Sequence, residues 1–83
     1  MILIMKALGD ETRLKIFNLL REKTLCGYLI LDKLDIKQPT LSHHMRILCE
    51  SGIVNAEKDW KWTYYSINKS KLKQFILALG HFN

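Results

Sequence analysis

The stretch that determines the fold of this chain is residues 35–52, DIKQPTLSHHMRILCESG. Pro39 follows a short turn, and its fixed φ and missing N–H suit the first turn of a helix. Apolar side chains then recur at i, i+4 and i+7, which predicts a helix from Pro39 to about Glu50. This helix is expected to bury Leu41, Met45 and Leu48. Gly52 is expected to end it in the left-handed conformation.

Upstream of this stretch, the apolar periodicity predicts three more helices. A short opening helix is broken at Gly9, and the carboxylate of Asp10 can cap a second helix that runs to about Glu22. The apolar side of the second helix is expected to contain Leu14, Ile16, Phe17, Leu19 and Leu20. Thr24 can cap a third helix. A helix, a short turn and a second capped helix are the signature of a helix-turn-helix.

Downstream, the spacing changes from that of a helix to that of a strand. Residues 53–57 and 62–67 are rich in β-branched and aromatic side chains and flank a polar turn at Lys58-Asp59, which predicts a β-hairpin. A hairpin after a recognition helix is a wing. The predicted fold is therefore mainly α with a small β-hairpin, a winged helix-turn-helix of order α-α-α-α-β-β-α. It forms a single domain over residues 1–83.

The last predicted helix begins after Asn68 or Ser70 and stops at Gly80. Its apolar side chains recur at i, i+3, i+4 and i+7, and they are Leu72, Phe75, Ile76 and Leu79. Such a stripe is ordinarily a face of the core. Here the helix lies far from the helix-turn-helix, and the opening helix is also short and apolar. We therefore expect the terminal helices of two protomers to form a homodimer interface, which would offset the small buried surface of a short chain.

Composition limits the classes of function. The chain has 13 Lys and Arg against 8 Asp and Glu, which gives a net charge of +5. This charge is equally consistent with a polyanionic partner and with a generically basic surface. The sequence has no apolar run long enough for a membrane span, and Cys26 and Cys49 give no disulfide framework, so we expect a cytoplasmic protein. A Ser-His-Asp arrangement, paired carboxylates and a Gly-rich phosphate loop are not evident, so an enzyme is not expected.

The polar face of the predicted helix 39–50 carries the residues expected to contact double-stranded DNA, because the N-terminal part of a recognition helix reaches base edges in the major groove. These residues are Gln38, Pro39, Thr40, Ser42, His43 and Arg46. In the wing, Lys58 and Lys61 are placed to contact phosphate, and Trp60 between them is unusual for a turn. A protein-interaction or dimerisation module is the alternative, but it would not need this exposed polar set.

Three segments resemble the ArsR/SmtB family of bacterial and archaeal repressors, namely ALGDETRL (7–14), QPTLSHHM (38–45) and WTYYSI (62–67). The resemblance covers nearly the whole chain in the expected order. It implies a homodimeric winged-helix repressor on a palindromic operator, with recognition helices in major grooves about 34 Å apart. A metal or metalloid ion would release the DNA. The resemblance also implies that the wing follows the DNA backbone and that Arg46 supports the base-reading residues Gln38, Thr40, Ser42 and His43.

The sequence departs from the family at the inducer site. Arsenic-responsive members begin the third helix with a Cys-x-Cys pair, and here Cys26 is kept but Tyr28 takes the second place. One thiol does not make a tight site for As(III) or another thiophilic metal. Cys26 is therefore the one candidate metal ligand. A repressor that responds to a thiol-reactive signal and a constitutive, non-sensing repressor are the alternatives. The zinc site of other members lies on the last helix, where this chain retains only His81.

Overall fold

A computed structural model describes residues 1–80 of the chain. The elements within these residues are α1 (Ile2–Leu8), α2 (Glu11–Glu22), β1 (Leu25–Cys26), α3 (Gly27–Lys33), α4 (Gln38–Ser51), β2 (Val54–Asp59), β3 (Trp62–Ile67) and α5 (Lys69–Gly80). The strands form an antiparallel sheet in the order β1-β3-β2. This architecture confirms the prediction of a mainly α winged helix-turn-helix, in which α3 and α4 form the helix-turn-helix and β2 and β3 form the wing.

The helix boundaries follow the sequence signals at three places. A side-chain oxygen of Asp10 accepts a hydrogen bond from the backbone N–H of Arg13 at 2.9 Å, so Asp10 caps α2. Asn68 caps α5 by accepting from the backbone N–H of Lys71 at 3.1 Å. Gly52 follows α4 with a φ of 90°, a left-handed conformation that glycine adopts without steric cost.

The segment between α2 and α3 differs from the prediction. The cap predicted at Thr24 is wrong, because Leu25 and Cys26 form strand β1 and α3 begins only at Gly27. Leu25 pairs with Tyr65 and Cys26 with Tyr64 of β3, so backbone groups that a helix would use are bonded within the sheet. A strand of two residues is too short to show an alternating pattern in the sequence.

The wing turn also lies further along the chain than predicted. Lys58 and Asp59 belong to β2, where they pair with Thr63 and Trp62 of β3. The turn is therefore Trp60-Lys61, and the prediction of a turn at Lys58-Asp59 is wrong. That prediction relied on polarity, but the outer part of this hairpin is exposed on both faces, so polar residues there do not mark the turn.

The core lies between the helices and the inner end of the sheet. Its most deeply buried large side chains are Ile16, Ile30, Leu41, Leu48 and Ile53. The predicted buried stripe of α4 is confirmed, since Leu41, Met45 and Leu48 are all buried. In α2 the prediction is wrong for Leu14, whose side chain is 43% exposed, because the helix turns Ile16, Phe17 and Leu20 toward the core instead.

Candidate nucleic-acid interface

The outer face of α4 presents all six residues that the sequence predicted to contact DNA. Each of them is exposed, and they are Gln38, Pro39, Thr40, Ser42, His43 and Arg46. Pro39, Ser42, His43 and Arg46 line one shallow depression on this face. The Gln38 side-chain nitrogen donates to the Ser42 hydroxyl at 3.2 Å across one helical turn. The six residues therefore lie on the exposed side of α4, away from the buried stripe of the same helix.

A polar link that the sequence did not suggest fixes α4 against α2. The Nε of Arg13 donates to the backbone carbonyl of Ala7 at 2.7 Å, and its Nη1 lies 3.1 Å from Nδ1 of His44 on α4. Arginine has no acceptor, so Nδ1 of His44 must accept this bond and the neutral ring carries its proton on Nε2. The nearest carboxylate oxygen of Asp10 is 3.9 Å from the same Nδ1.

The electrostatics of this link agree with its geometry. Burial is the main cause that lowers the pKa of His44 below its usual value; the charges of Arg13 and His43 lower it further, and that of Asp10 opposes them. The pKa of Asp10 is also lowered, chiefly because its carboxylate accepts from the backbone N–H of Arg13. At neutral pH, Asp10 is therefore charged and His44 is neutral, the states in which Asp10 can cap α2 and His44 can accept from Arg13.

The two faces of the wing differ in charge. Val54 and Ile67 form a buried cross-strand pair, and the pairs Ala56–Tyr65 and Lys58–Thr63 continue the same face toward the tip. Ala56 and Tyr65 line a depression together with Ser42 and Arg46 of α4, so this face is turned toward the polar surface of α4. Lys58 therefore lies on the α4 side of the wing, whereas the carboxylates of Glu57 and Asp59 lie on the other face.

The wing tip has an unusual conformation. Trp60 is 82% exposed and has a φ of 61°, in the left-handed region. For a residue other than glycine this conformation costs roughly 1–2 kcal/mol. The ammonium group of Lys61 lies 5.2 Å from the centre of the Trp60 ring and 5.3 Å from that of Trp62, which is within the range of a cation–π contact. Lysine and tryptophan are thus presented together at the end of the hairpin.

The two cysteines lie in different environments. Cys26 is buried in β1, and Cys49 is half-buried on α4, where burial raises the pKa of its thiol. Tyr28 is 65% exposed and its ring contacts the edge of Trp62 at a centroid distance of 6.4 Å. Over residues 1–80, no group of three or more His, Cys, Asp or Glu side chains could hold a metal ion. His81 lies outside the described residues.

The four residues predicted for a dimer interface separate into two pairs. Leu72 and Phe75 are half-buried and pack against the protomer's own core, whereas Ile76 and Leu79 are exposed. Exposed apolar side chains continue on α5 at Leu77 and on α1 at Ile2, Leu3 and Met5. A groove lined by residues of both helices joins the two elements. Both terminal helices thus present exposed apolar side chains, and the groove between them is lined by apolar and polar residues together. In the described part of the chain, every helix is too short or too polar to span a bilayer.

Comparison with known proteins identifies the family. The sequence pattern of the bacterial regulatory proteins of the arsR family matches residues 10–56. The chain is 46% identical over 74 residues to an HTH-type transcriptional regulator of Methanocaldococcus jannaschii, covering 88% of this chain and 83% of that one. It is 38% identical over 80 residues to the arsenical resistance operon repressor of Staphylococcus aureus, covering 96% and 77% respectively. Its fold matches HlyU of Vibrio cholerae with a TM-score of 0.81 at 27% identity, over 98% of this chain and 88% of that one. The chain belongs to the ArsR family of DNA-binding, winged helix-turn-helix transcriptional repressors, a family of regulators and not of enzymes.

Proposed function

We propose that this protein is a sequence-specific repressor that binds a palindromic operator as a homodimer, with one α4 helix in each of two successive major grooves. The observation that carries this proposal is the exposed polar face of α4, from Gln38 to Arg46. Gln and Arg side chains can contact purine edges through two hydrogen bonds, and Ser and Thr hydroxyls can contact bases or phosphates. The buried stripe of the same helix fixes which side chains face the groove.

The flanking contacts of this complex are to phosphate. The N-terminus of α4 has no side-chain cap, so its free N–H groups can bind a phosphate. Lys58 lies on the wing face that is turned toward α4, and Lys61 lies at the tip. Neither lysine forms an ion pair with the carboxylates of residues 1–80. Their charges are therefore available to replace counterions on DNA, which adds affinity that falls as salt rises.

We expect Gln38→Ala and His43→Ala to weaken binding to the operator much more than binding to unrelated DNA, because base contacts discriminate between sequences and phosphate contacts do not. The expected loss on the operator is about 1–3 kcal/mol for each lost bidentate contact. Fluorescence anisotropy measures both affinities, using a duplex selected from a random library and a scrambled duplex. Asn18→Ala, an exposed substitution on α2, is the control. Equal losses on the two duplexes would contradict a base-reading role, and a wild-type protein that selects no duplex would refute the proposed function.

For the inducing signal, we propose that the DNA complex does not respond to arsenite. Cys26 is buried, and the position of a second thiol is taken by Tyr28, whose exposed ring contacts Trp62. We therefore expect a large excess of arsenite to leave the anisotropy of the reduced complex unchanged. The Tyr28→Cys variant supplies a second thiol close to Cys26 and is the matched comparison. If arsenite released DNA from the wild type and Cys26→Ser abolished that release, Cys26 would belong to a working site and this proposal would be wrong.

A further inference from the structure

We propose that Trp60 is a DNA-binding residue, which inserts its indole ring as an apolar wedge into the minor groove beside the major groove that α4 occupies. This inference rests on the proposed function, because it requires that α4 binds duplex DNA. It assigns a role to the most exposed aromatic side chain of residues 1–80, which belongs neither to the core nor to the recognition helix.

The fold does not need a tryptophan at position 60. The Trp60 ring is 82% exposed, and its contact with Lys61 is made at the solvent-exposed tip. Its backbone is held at a φ of 61°, where glycine or asparagine forms a hairpin turn with less strain. A large apolar ring in a strained, exposed turn therefore weakens the isolated protomer. Strain of this kind is typical of residues that contact a ligand.

The wing is long enough for Trp60 to reach the minor groove. Ala56 and Tyr65 mark the level at which the wing lies beside Ser42 and Arg46 of α4. Trp60 is four residues further along the strand, which corresponds to about 14 Å at the rise of an antiparallel strand. The major groove is about 12 Å wide. A tip displaced by this distance from the recognition helix can pass one phosphate backbone and meet the adjacent minor groove.

The charges around Trp60 favour DNA over a protein partner. The ammonium of Lys61 lies against the Trp60 ring, so an indole that enters the groove brings a cation to the flanking phosphates. Lys58 is on the wing face nearest α4, whereas Glu57 and Asp59 are on the face turned away from it. The minor groove accepts apolar wedges between base steps, which kink the duplex toward the major groove.

The test compares variants that keep the turn but remove the ring. We expect Trp60→Asn and Trp60→Gly to raise the Kd for the selected operator about tenfold, within the range for stacking of an aromatic ring on a base. Their slope of log K against log salt should equal that of the wild type, because no phosphate contact is lost. Lys61→Ala, in contrast, should reduce the slope by up to about 0.9. The thermal midpoint of Trp60→Asn should be no lower than that of the wild type, since asparagine tolerates a positive φ.

DNA bending provides a second readout. Energy transfer between dyes at the two ends of the operator should show a smaller bend with Trp60→Asn than with the wild type. Tyr64→Ala, which removes an exposed aromatic ring from the wing face turned away from α4, should leave affinity and bend unchanged. If Trp60→Asn bound and bent the operator as the wild type does, the inference would be overturned and the proposed function would stand. A lowered thermal midpoint in this variant would also overturn the inference, because Trp60 would then be a structural residue. A wild-type protein that selects no duplex would overturn both.

Discussion

Ile76→Glu is expected to convert the protein to monomers and to weaken operator binding by about 100-fold or more. Ile76 is 57% exposed on α5 and Leu3 is 62% exposed on α1, so both terminal helices offer an exposed apolar surface for a dimer contact. In a homodimer built on this surface, the two symmetry-related substitutions would place carboxylates in an apolar interface, where an unpaired charge is strongly disfavoured. Loss of the dimer removes the second recognition helix, and linkage of two binding modules can contribute about 10²–10⁴-fold to affinity.

Sedimentation velocity and anisotropy on the same samples test this expectation together. Leu29→Glu is the matched control, since Leu29 is a similarly exposed leucine on α3, away from the terminal helices. That variant should remain dimeric. Leu72 and Phe75 are unsuitable for the test because they pack against the protomer's own core, so their substitution would destabilise the fold itself. If both Ile76→Glu and Leu3→Glu sediment as dimers, the interface lies elsewhere on the molecule.

The features that the sequence predicted correctly depend on contacts between near neighbours. The cap at Asp10 and the left-handed residue Gly52 are each defined by a few consecutive residues. The buried stripe of α4 follows from the 3.6-residue period, which also places the polar residues on the opposite face. The candidate DNA contacts on this helix could therefore be proposed before the structure was known.

The features that the sequence did not predict depend on pairing between distant segments. Strand β1 is defined by its partner β3, which lies about 40 residues away along the chain. The turn at Trp60-Lys61 is fixed by the register of the hairpin, because the pairing of Val54 with Ile67 determines which residues remain unpaired at the tip. The difference between half-buried Phe75 and exposed Ile76 depends on how α5 is rotated against the core, and both residues are apolar in the sequence.

The link between Arg13 and His44 could not be predicted either, because it also joins segments that are distant in the sequence. Its removal is expected to reduce the stability of the fold substantially. We expect Arg13→Ala to lower the free energy of unfolding by about 2 kcal/mol, because a partly buried charged hydrogen bond to the carbonyl of Ala7 and the contact with His44 are both lost. Urea denaturation measures this change. Lys15→Ala, which removes an exposed cation from the same helix, should change stability by well under 1 kcal/mol. An equal loss in the two variants would mean that Arg13 stabilises α2 only as a surface charge.

The same link makes stability depend on pH in a predictable direction. The pKa of His44 in the folded protein lies below its model-peptide value of 6.5, chiefly because the ring is buried. Between these two pKa values the unfolded chain binds more protons than the folded one, so stability decreases as pH falls through 6.5 and continues to decrease until the folded pKa is passed. The lowered pKa of Asp10 acts in a separate window, since its contribution is lost only as pH falls from 3.8 toward the lower folded pKa. Urea unfolding between pH 8 and about pH 5 therefore excludes the contribution of Asp10. His44→Gln should flatten this dependence, whereas His43→Gln, on the exposed face of the same helix, should retain most of it. If His44→Gln kept the full pH dependence, another group would be responsible and the neutral state assigned to His44 would lose its support.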